Sequence, residues 1–262
     1  MRHRPVIALL TDFGLSDSYV AAMKGVIISV SPSSRIVDIS HAIKPQDVDN
    51  AAFIVWSTYK FFPDGTIFVC VVDPGVGSQR NILCVETKNY IFLAPDNGLL
   101  KFVLNSESIK NTVAVANRKY FRDEVATTFH GRDIFAPVAA QLANGLPVRK
   151  LGAKIKPAVS VEQFVKVALN SKKAYSGKII HVDHFGNVVT NFQFAKTFSP
   201  KLQLHFNKHR INLFCPTYVA APDQKPFAIV GSMGLLEISI KNENAARFLR
   251  ASVNQRITLR IS

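Results

Sequence analysis

Ile67-Phe68-Val69-Cys70-Val71-Val72 runs without a break into Asp73-Pro74-Gly75-Val76-Gly77-Ser78-Gln79-Arg80. Six apolar residues in a row, three of them β-branched valines, suit a strand buried on both faces, as in a parallel sheet. The apolar run ends abruptly at an aspartate and a Pro/Gly turn. Such strand-to-turn junctions sit at the rim of α/β sheets, where ligands bind.

Two further segments repeat this arrangement. Val6 to Leu10 reads as a short apolar strand ending at Thr11-Asp12-Phe13-Gly14. Thr127-Thr128-Phe129-His130-Gly131-Arg132-Asp133 lies just ahead of a helical pattern that runs from Asp133 to Ala143 and stops at Asn144-Gly145. Between these, Ser16 is placed to cap a helix from Asp17 to about Val30. Arg35 to Ile39 reads as a strand, and Pro45 opens a second helix carrying Val48, Ala52, Val55, Trp56 and Tyr59 on one face. Ile82 to Glu86 and Tyr90 to Leu93 are further strands. The β-α-β-α-β order predicts an α/β domain with a parallel or mixed sheet between helices.

Beyond about Pro157 the pattern changes to short apolar strands separated by turn residues: Gly177–Val182, Val188–Phe192, Leu202–Phe206, Ile211–Phe214, Phe227–Val230, Leu236–Ile240 and Ile257–Ile261. This predicts a smaller all-β, barrel-like domain. The expected domains are residues 1–160 and 174–262, with Ala153 to Lys173 as the linker region.

The chain has 262 residues and a net charge of +14. Its Lys and Arg are scattered, and the densest groups, Lys172-Lys173 and Lys208 to Arg210, are short. No basic helix or aromatic-interleaved stripe is present, so the charge reads as a solvated surface and not as a specific nucleic-acid site. Cys70, Cys84 and Cys215 are far apart and odd in number, which predicts buried thiols in a reducing cytosol and no disulfide framework. No apolar run reaches the roughly 20 residues a membrane span needs. A soluble cytoplasmic protein is expected.

Asp12, Asp73, Arg80 and His130 are the candidate site residues. An aspartate at a strand end can accept hydrogen bonds from vicinal hydroxyls or merely cap a turn. Arg80 can fold back to pair with Asp73 and keep it ionised. Carboxylate, guanidinium and imidazole together can orient a small nucleophile such as water. The Pro74-to-Gly77 loop lacks both the Walker A and the G-x-G-x-x-G pattern, so a phosphate cradle has little support. His181 and His184 would point to opposite faces of a strand, so no metal site is expected there. In the turn that follows, Phe185 offers a stacking ring and Asn187 an amide able to read a purine edge. Gly231-Ser232-Met233-Gly234-Leu235-Leu236-Glu237-Ile238 joins two strands, and Ser232 and Glu237 can bind polar ligand groups or simply belong to a hairpin.

With these segments quoted, the chain resembles the S-adenosyl-L-methionine (SAM) hydroxide adenosyltransferase family, the adenosine-forming SAM hydrolases related to fluorinase and chlorinase. The resemblance also takes in Asp17, Tyr19-Val20, Met23-Lys24-Gly25, Val37 to His41, Ala94 to Gly98 and Asp183 to Asn191, and covers nearly the whole chain in order. It implies hydrolysis of SAM to adenosine and L-methionine by water or hydroxide at the ribose C5′. SAM is then the substrate, with no cofactor and no metal. By the same resemblance Asp73, Arg80 and His130 position the nucleophile, Asp12 binds ribose and Asp17 lies near the methionine amine. Phe185, Asn187 and the main chain of Ile240 contact adenine. Ser232 contacts methionine, and Glu237 lies in the same signature. A homotrimer is implied, with the nucleoside between one subunit's N-terminal and its neighbour's C-terminal domain. Gly231 stands where many relatives have Asn, Gln46 where the fluorinating enzyme has a Trp, and Met233 at a variable position. The halogenating relatives lack the Asp-Arg-His set and the fluorinase carries a long insertion missing here, so the resemblance implies water over halide. The competing readings are a halogenase-type substitution, a metal-dependent phosphoesterase and a non-catalytic nucleic-acid or nucleoside-binding protein.

Overall fold

The computed structural model describes residues 4–159, 163–168, 174–194 and 202–261. The chain divides between residues 162 and 163 into two compact units. The stretch read as a linker is described only in part, since 160–162 and 169–173, including the Lys172-Lys173 pair, lie outside the described residues. Residue 158 is held to the first unit, where its N–H donates to the Asp96 carboxylate at 2.9 Å.

In the first unit the strands are β1 (Val6–Thr11), β2 (Arg35–Ser40), β3 (Ile67–Val71), β4 (Ile82–Thr87), β5 (Ile91–Pro95) and β6 (Ile109–Ala114). The helices are α1 (Tyr19–Val30), α2 (Val48–Thr58), α3 (Lys101–Ser106) and α4 (Ala136–Ala143), the last preceded by a π turn at Gly131–Phe135. The sheet order is β2-β1-β3-β5-β4-β6. The pairs β1/β2, β1/β3 and β3/β5 are parallel, and β4/β5 and β4/β6 are antiparallel. The sheet is therefore mixed, as its strand and helix order predicts.

From β1 the chain crosses to β2 on one side and then returns through α2 to β3 on the other. This reversal makes a switch point at the carboxyl ends of β1 and β3, the place where open α/β sheets bind ligands. Both strands are fully buried, with Thr11 paired to Val71. Ile7, Leu9, Val69 and Val71 contribute to a core with Met23 and Ile27 of α1 and Val138 and Leu142 of α4. Each such aliphatic side chain is worth about 1.5–3 kcal/mol on burial. Elsewhere in the core Phe68 and Phe92 stack at 4.9 Å, and Tyr59 packs edge-on against both.

Three helix starts differ from the sequence reading. Helix α1 begins at Tyr19, so Ser16 and Asp17 lie in the loop before it, and Ser18 at the cap position makes no side-chain cap. Helix α2 begins at Val48, with the Asn50 N–H donating to Asp47 Oδ1 at 3.0 Å. Pro45 stays outside because Gln46 adopts φ +68°, a left-handed conformation that no helix continues through. Helix α4 opens as a π turn. Pro137 has no N–H to offer the Asp133 carbonyl four residues back, and the Arg122 N–H occupies that carbonyl at 3.0 Å instead. Helix α3 and strand β6 are absent from the sequence reading: α3 has only six residues, and β6, Ile-Lys-Asn-Thr-Val-Ala, shows no clear apolar period.

The second unit contains β7 (Val165–Lys166), β8 (Ala174–Val182), β9 (Val188–Gln193), β10 (Leu202–Phe206), β11 (His209–Ile211), β12 (Pro226–Val230), β13 (Leu235–Ile240) and β14 (Arg256–Ile261), with one short helix, α5 (Ala245–Leu249). Seven strands run in the order β11-β10-β14-β8-β9-β13-β12, all antiparallel, and β7 adds to β9 in parallel. The sheet nearly closes. Just past β11 the chain meets β12, where the Cys215 N–H donates to Ala228 O at 2.9 Å and the Ala228 N–H to Leu213 O at 2.7 Å. The expected strand Ile211–Phe214 is thus a ladder ending at Ile211 and an isolated bridge from Phe214 to Ala228. This is the barrel-like all-β unit the sequence predicts. All three cysteines are buried, and no helix among the described residues is long and apolar enough to cross a membrane.

Asp47→Ala removes the one side-chain cap of α2 and is expected to cost about 1 kcal/mol. A thermal melt should show the unfolding midpoint lowered by about 2–4 °C.

Candidate active site

Because β1 and β3 are parallel neighbours in register, Asp12 and Asp73 leave the sheet side by side. Each is then fixed by its own turn. Thr11 Oγ1 accepts the Phe13 N–H at 3.2 Å and lies 2.8 Å from His41 Nδ1. The Gly14 N–H, at φ +67°, donates to the His41 carbonyl at 2.8 Å. On its far side His41 Nε2 is 3.1 Å from Asp38, which also pairs with Lys24 at 2.6 Å. The Asp12 carboxylate accepts the Gln46 N–H on Oδ2 at 2.8 Å, which leaves Oδ1 for a ligand.

Asp73 begins a tight turn in which the Val76 N–H donates to the Asp73 carbonyl and the Ser78 N–H to that of Gly75. The turn brings Arg80 back. Its Nε donates to Asp73 Oδ1 at 2.7 Å, and Nη2 bonds Asp73 Oδ2. The same Nη2 is 3.3 Å from His130 Nδ1. Arg80 thus bridges a carboxylate that is only 5 % exposed and an imidazole from a different loop. A guanidinium has only donors. A hydrogen bond to His130 therefore requires a bare Nδ1 and puts the imidazole proton on Nε2. Burial, with the Arg80 charge adding to it, lowers the His130 pKa, and the Asp73 and Asp133 charges offset this only in part.

Asp73 and His130, but not Arg80, line a cavity of about 410 Å³ whose wall also includes Asp12, Gln46 and Thr128. Phe13, Tyr19 and Phe129 form one side of it, their rings meeting at 5.0–5.9 Å. Asp17 is exposed and not among the lining residues.

The remaining predicted residues lie in the second unit. Phe185, Asn187 and Ile240 line a cavity of about 700 Å³ together with Asp183, Tyr218 and Asn244. The Phe185 ring is 76 % exposed. Asn187 is held in place, its backbone N–H and its Nδ2 each donating to the Asp183 carboxylate at 2.8 Å. That leaves the amide oxygen as its free acceptor. Ser232 is exposed in the β12–β13 turn, and Glu237 is half-buried on β13; neither lines this cavity. Burial, then the Asp183 charge, pushes the Glu237 carboxyl up to about 7. A Cβ on Gly231 would come within 1.7 Å of Glu237 Oε1, so a side chain there requires the carboxylate end to move. Among the described residues no three His, Cys, Asp or Glu side chains are grouped to hold a metal ion.

Sequence reasoning leaves out the aromatic wall, Tyr218 and Asp183. Phe13, Tyr19 and Asp183 stand inside the quoted segments, so their closeness to the assigned residues was the available signal. Tyr218 has no local signal, because only the fold brings it to the Asn187 turn.

Residues 7–152 match the SAM hydroxide adenosyltransferase N-terminal domain and residues 177–258 the C-terminal domain of the same family. The chain is 33% identical over 250 residues, covering 95% of each protein, to an (R)-S-adenosyl-L-methionine hydrolase of Salinispora arenicola. The protein belongs to the SAM hydroxide adenosyltransferase family. It is also 30% identical over 216 residues, 71% of each chain, to a fluorinase of Actinoplanes sp.. The crystal structure of an uncharacterized conserved protein from Thermotoga maritima superposes with a TM-score of 0.85 at 32% identity, covering 97% of this chain and 99% of that one.

The two loops that meet at the cavity touch at Gly77. Its φ is +80°, and a Cβ there would sit 2.7 Å from the Thr127 carbonyl oxygen. Gly77→Ala is expected to cost about 1–2 kcal/mol from the left-handed backbone alone, and to separate Arg80 from His130. A thermal melt together with a broadened or shifted His130 NMR signal would reveal both effects.

Proposed function

We propose that the protein hydrolyses SAM to adenosine and L-methionine, with water attacking the ribose C5′ and the thioether of methionine leaving. The observation that carries this reading is the Asp73–Arg80–His130 chain, whose Asp73 and His130 lie on the wall of a cavity at the sheet's switch point while Arg80 links them. The name borne by the Salinispora relative supports the same substrate. Atoms and charge balance as one SAM cation plus water giving adenosine, methionine and one proton. A neutral thioether needs no acid to depart, so the difficulty lies with the nucleophile. Water has a pKa of about 15.7, so preformed hydroxide is scarce and in-line positioning supplies most of the acceleration.

In this reading Asp73 accepts a hydrogen bond from the attacking water through a lone pair that Arg80 leaves open, and its charge faces the sulfonium. Once the C–O bond has formed, the alkyl oxonium is a strong acid and gives its proton to that carboxylate. His130 donates Nε2–H to the water oxygen and orients its other lone pair toward carbon. A halide in the same position would meet the Asp73 carboxylate, a repulsion that favours water.

Asp12 binds the ribose hydroxyls through Oδ1. Phe185 stacks on adenine, Asn187 reads its edge, and Ile240 lends main chain. Asp17, Ser232 and Glu237 serve the methionine part. The reading calls for no cofactor and no metal. A homotrimer and a cytoplasmic location belong to the same proposal and draw their support from the similarity to the family.

Purified protein incubated with SAM and a chelator in ¹⁸O-water is expected to yield methionine and adenosine labelled at the 5′-oxygen. Mass spectrometry that finds methylthioadenosine, S-adenosylhomocysteine or unlabelled adenosine would remove the assignment. The pH profile is a second check. Protonated His130 would aim an Nδ1–H at the Arg80 donors, so the neutral form is the active one. Its pKa is lowered from the ordinary value of 6.5. Hence kcat/KM should be level through neutral pH and fall only as the pH drops through a midpoint below 6.5. An acid limb above that value would contradict the role given to His130.

A further inference from the structure

Asp133 is fully buried and makes more polar contacts than any group at the cavity, yet it does not line it. Its Oδ2 accepts the Ala126 N–H at 2.9 Å and Arg132 Nη2 at 2.9 Å. Its Oδ1 accepts Arg132 Nε at 2.6 Å and Arg122 Nη1 at 3.2 Å. The backbone of the same residue receives the Arg122 N–H on its carbonyl, at 3.0 Å, and donates its own N–H to Phe129 O at 3.2 Å. One residue therefore ties down positions 122, 126, 129 and 132. The chain between these ties carries the Thr127 carbonyl that abuts Gly77 and the Thr128, Phe129 and His130 that face the cavity.

The carbonyl is available for this task because Pro137 cannot bond to it, and the π turn at Gly131–Phe135 is where the residue sits. The Arg132 guanidinium also lies 5.0 Å from the centre of the Phe129 ring, which adds a cation–π contact to the same segment. Burial opposes ionisation of Asp133, but the hydrogen bonds from Arg132 and Ala126 and the charges of Arg132 and Arg122 outweigh it and hold the carboxyl below its usual range. A buried, ionised carboxylate with every lone pair engaged is a costly arrangement that a loop does not need merely to cover a core.

We infer that Asp133 is the positioning residue of His130: its carboxylate and carbonyl fix the 122–130 loop so that the imidazole meets Arg80. This rests on the role proposed above for His130. Asp133 touches no substrate and acts only through the loop.

Asp133→Asn keeps the shape and an acceptor for Ala126 but removes the charge that two arginines share. In the folded variant, kcat for SAM is expected to fall at least ten-fold while adenosine affinity stays within two-fold. The His130 imidazole NMR signal should shift, and its titration midpoint should drop, because of the charges facing the ring (Arg80, Asp73 and Asp133) one of the two favouring protonation is lost. Equal kcat in a folded variant, or an unmoved His130 signal, overturns the inference. Arg122→Ala provides a second arm, since its side chain is 45 % exposed and its loss leaves Asp133 paired with Arg132. There kcat should fall at least three-fold and the His130 signal should shift, with no drop in its titration midpoint because Asp133 keeps its charge; wild-type behaviour in both kcat and signal position overturns the inference even if Asp133→Asn does not fold. Should the wild-type protein fail to hydrolyse SAM, the functional reading fails by itself, and the NMR arm still decides whether Asp133 positions the ring.

Discussion

The guanidinium of Arg80 is the group on which the candidate site depends. It satisfies both oxygens of a nearly buried carboxylate and reaches an imidazole supplied by a loop fifty residues away in sequence. Removing an aspartate from water without a partner is expensive, and the paired arginine is what makes the Asp73 charge tolerable at the mouth of a sheet. The same contact sets the His130 tautomer. Fixed donor and acceptor directions are thus present before any ligand arrives, which is the arrangement that lowers a barrier without reorganisation.

Everything around this contact serves to hold its two ends. On one side stand two adjacent parallel strands and two successive turns, within the eight residues from Asp73 to Arg80, that return Arg80 to the residue where they begin. On the other side stand the π turn and the ties made by Asp133. The Asp12 turn is braced separately by Thr11, His41 and Asp38, so it does not share the Asp73 supports. The supports of Asp12 and of Asp73 are in this sense separate braces on one cavity.

Much of this is legible in the sequence, for identifiable reasons. The run from Ile67 to Val72 has the continuous apolar character that only a strand covered on both faces needs, and the aspartate directly after it marks the sheet rim. Arg80 at seven residues from Asp73 is within reach of a tight turn. The barrel-like unit is legible because its strands are short, apolar and punctuated. Helix starts are less so. The left-handed Gln46 is decided by an N–H that caps Asp12, thirty-four residues away. The π turn follows from Pro137 and Arg122 together, and no local propensity carries that information. Helix α3 and strand β6 are too short and too polar to leave a period. The Asn187–Asp183 pair and Tyr218 became neighbours only through the barrel.

The contact between Gly231 and Glu237 carries a consequence for anyone altering this scaffold. The glycine's missing side chain is the space in which the carboxylate end of the glutamate sits. The two positions therefore behave as a single volume shared between neighbouring strands. Any side chain placed at 231 displaces the carboxylate end of Glu237, a flexible group that can swing aside, so a change at 231 would be felt first as a new orientation of that glutamate.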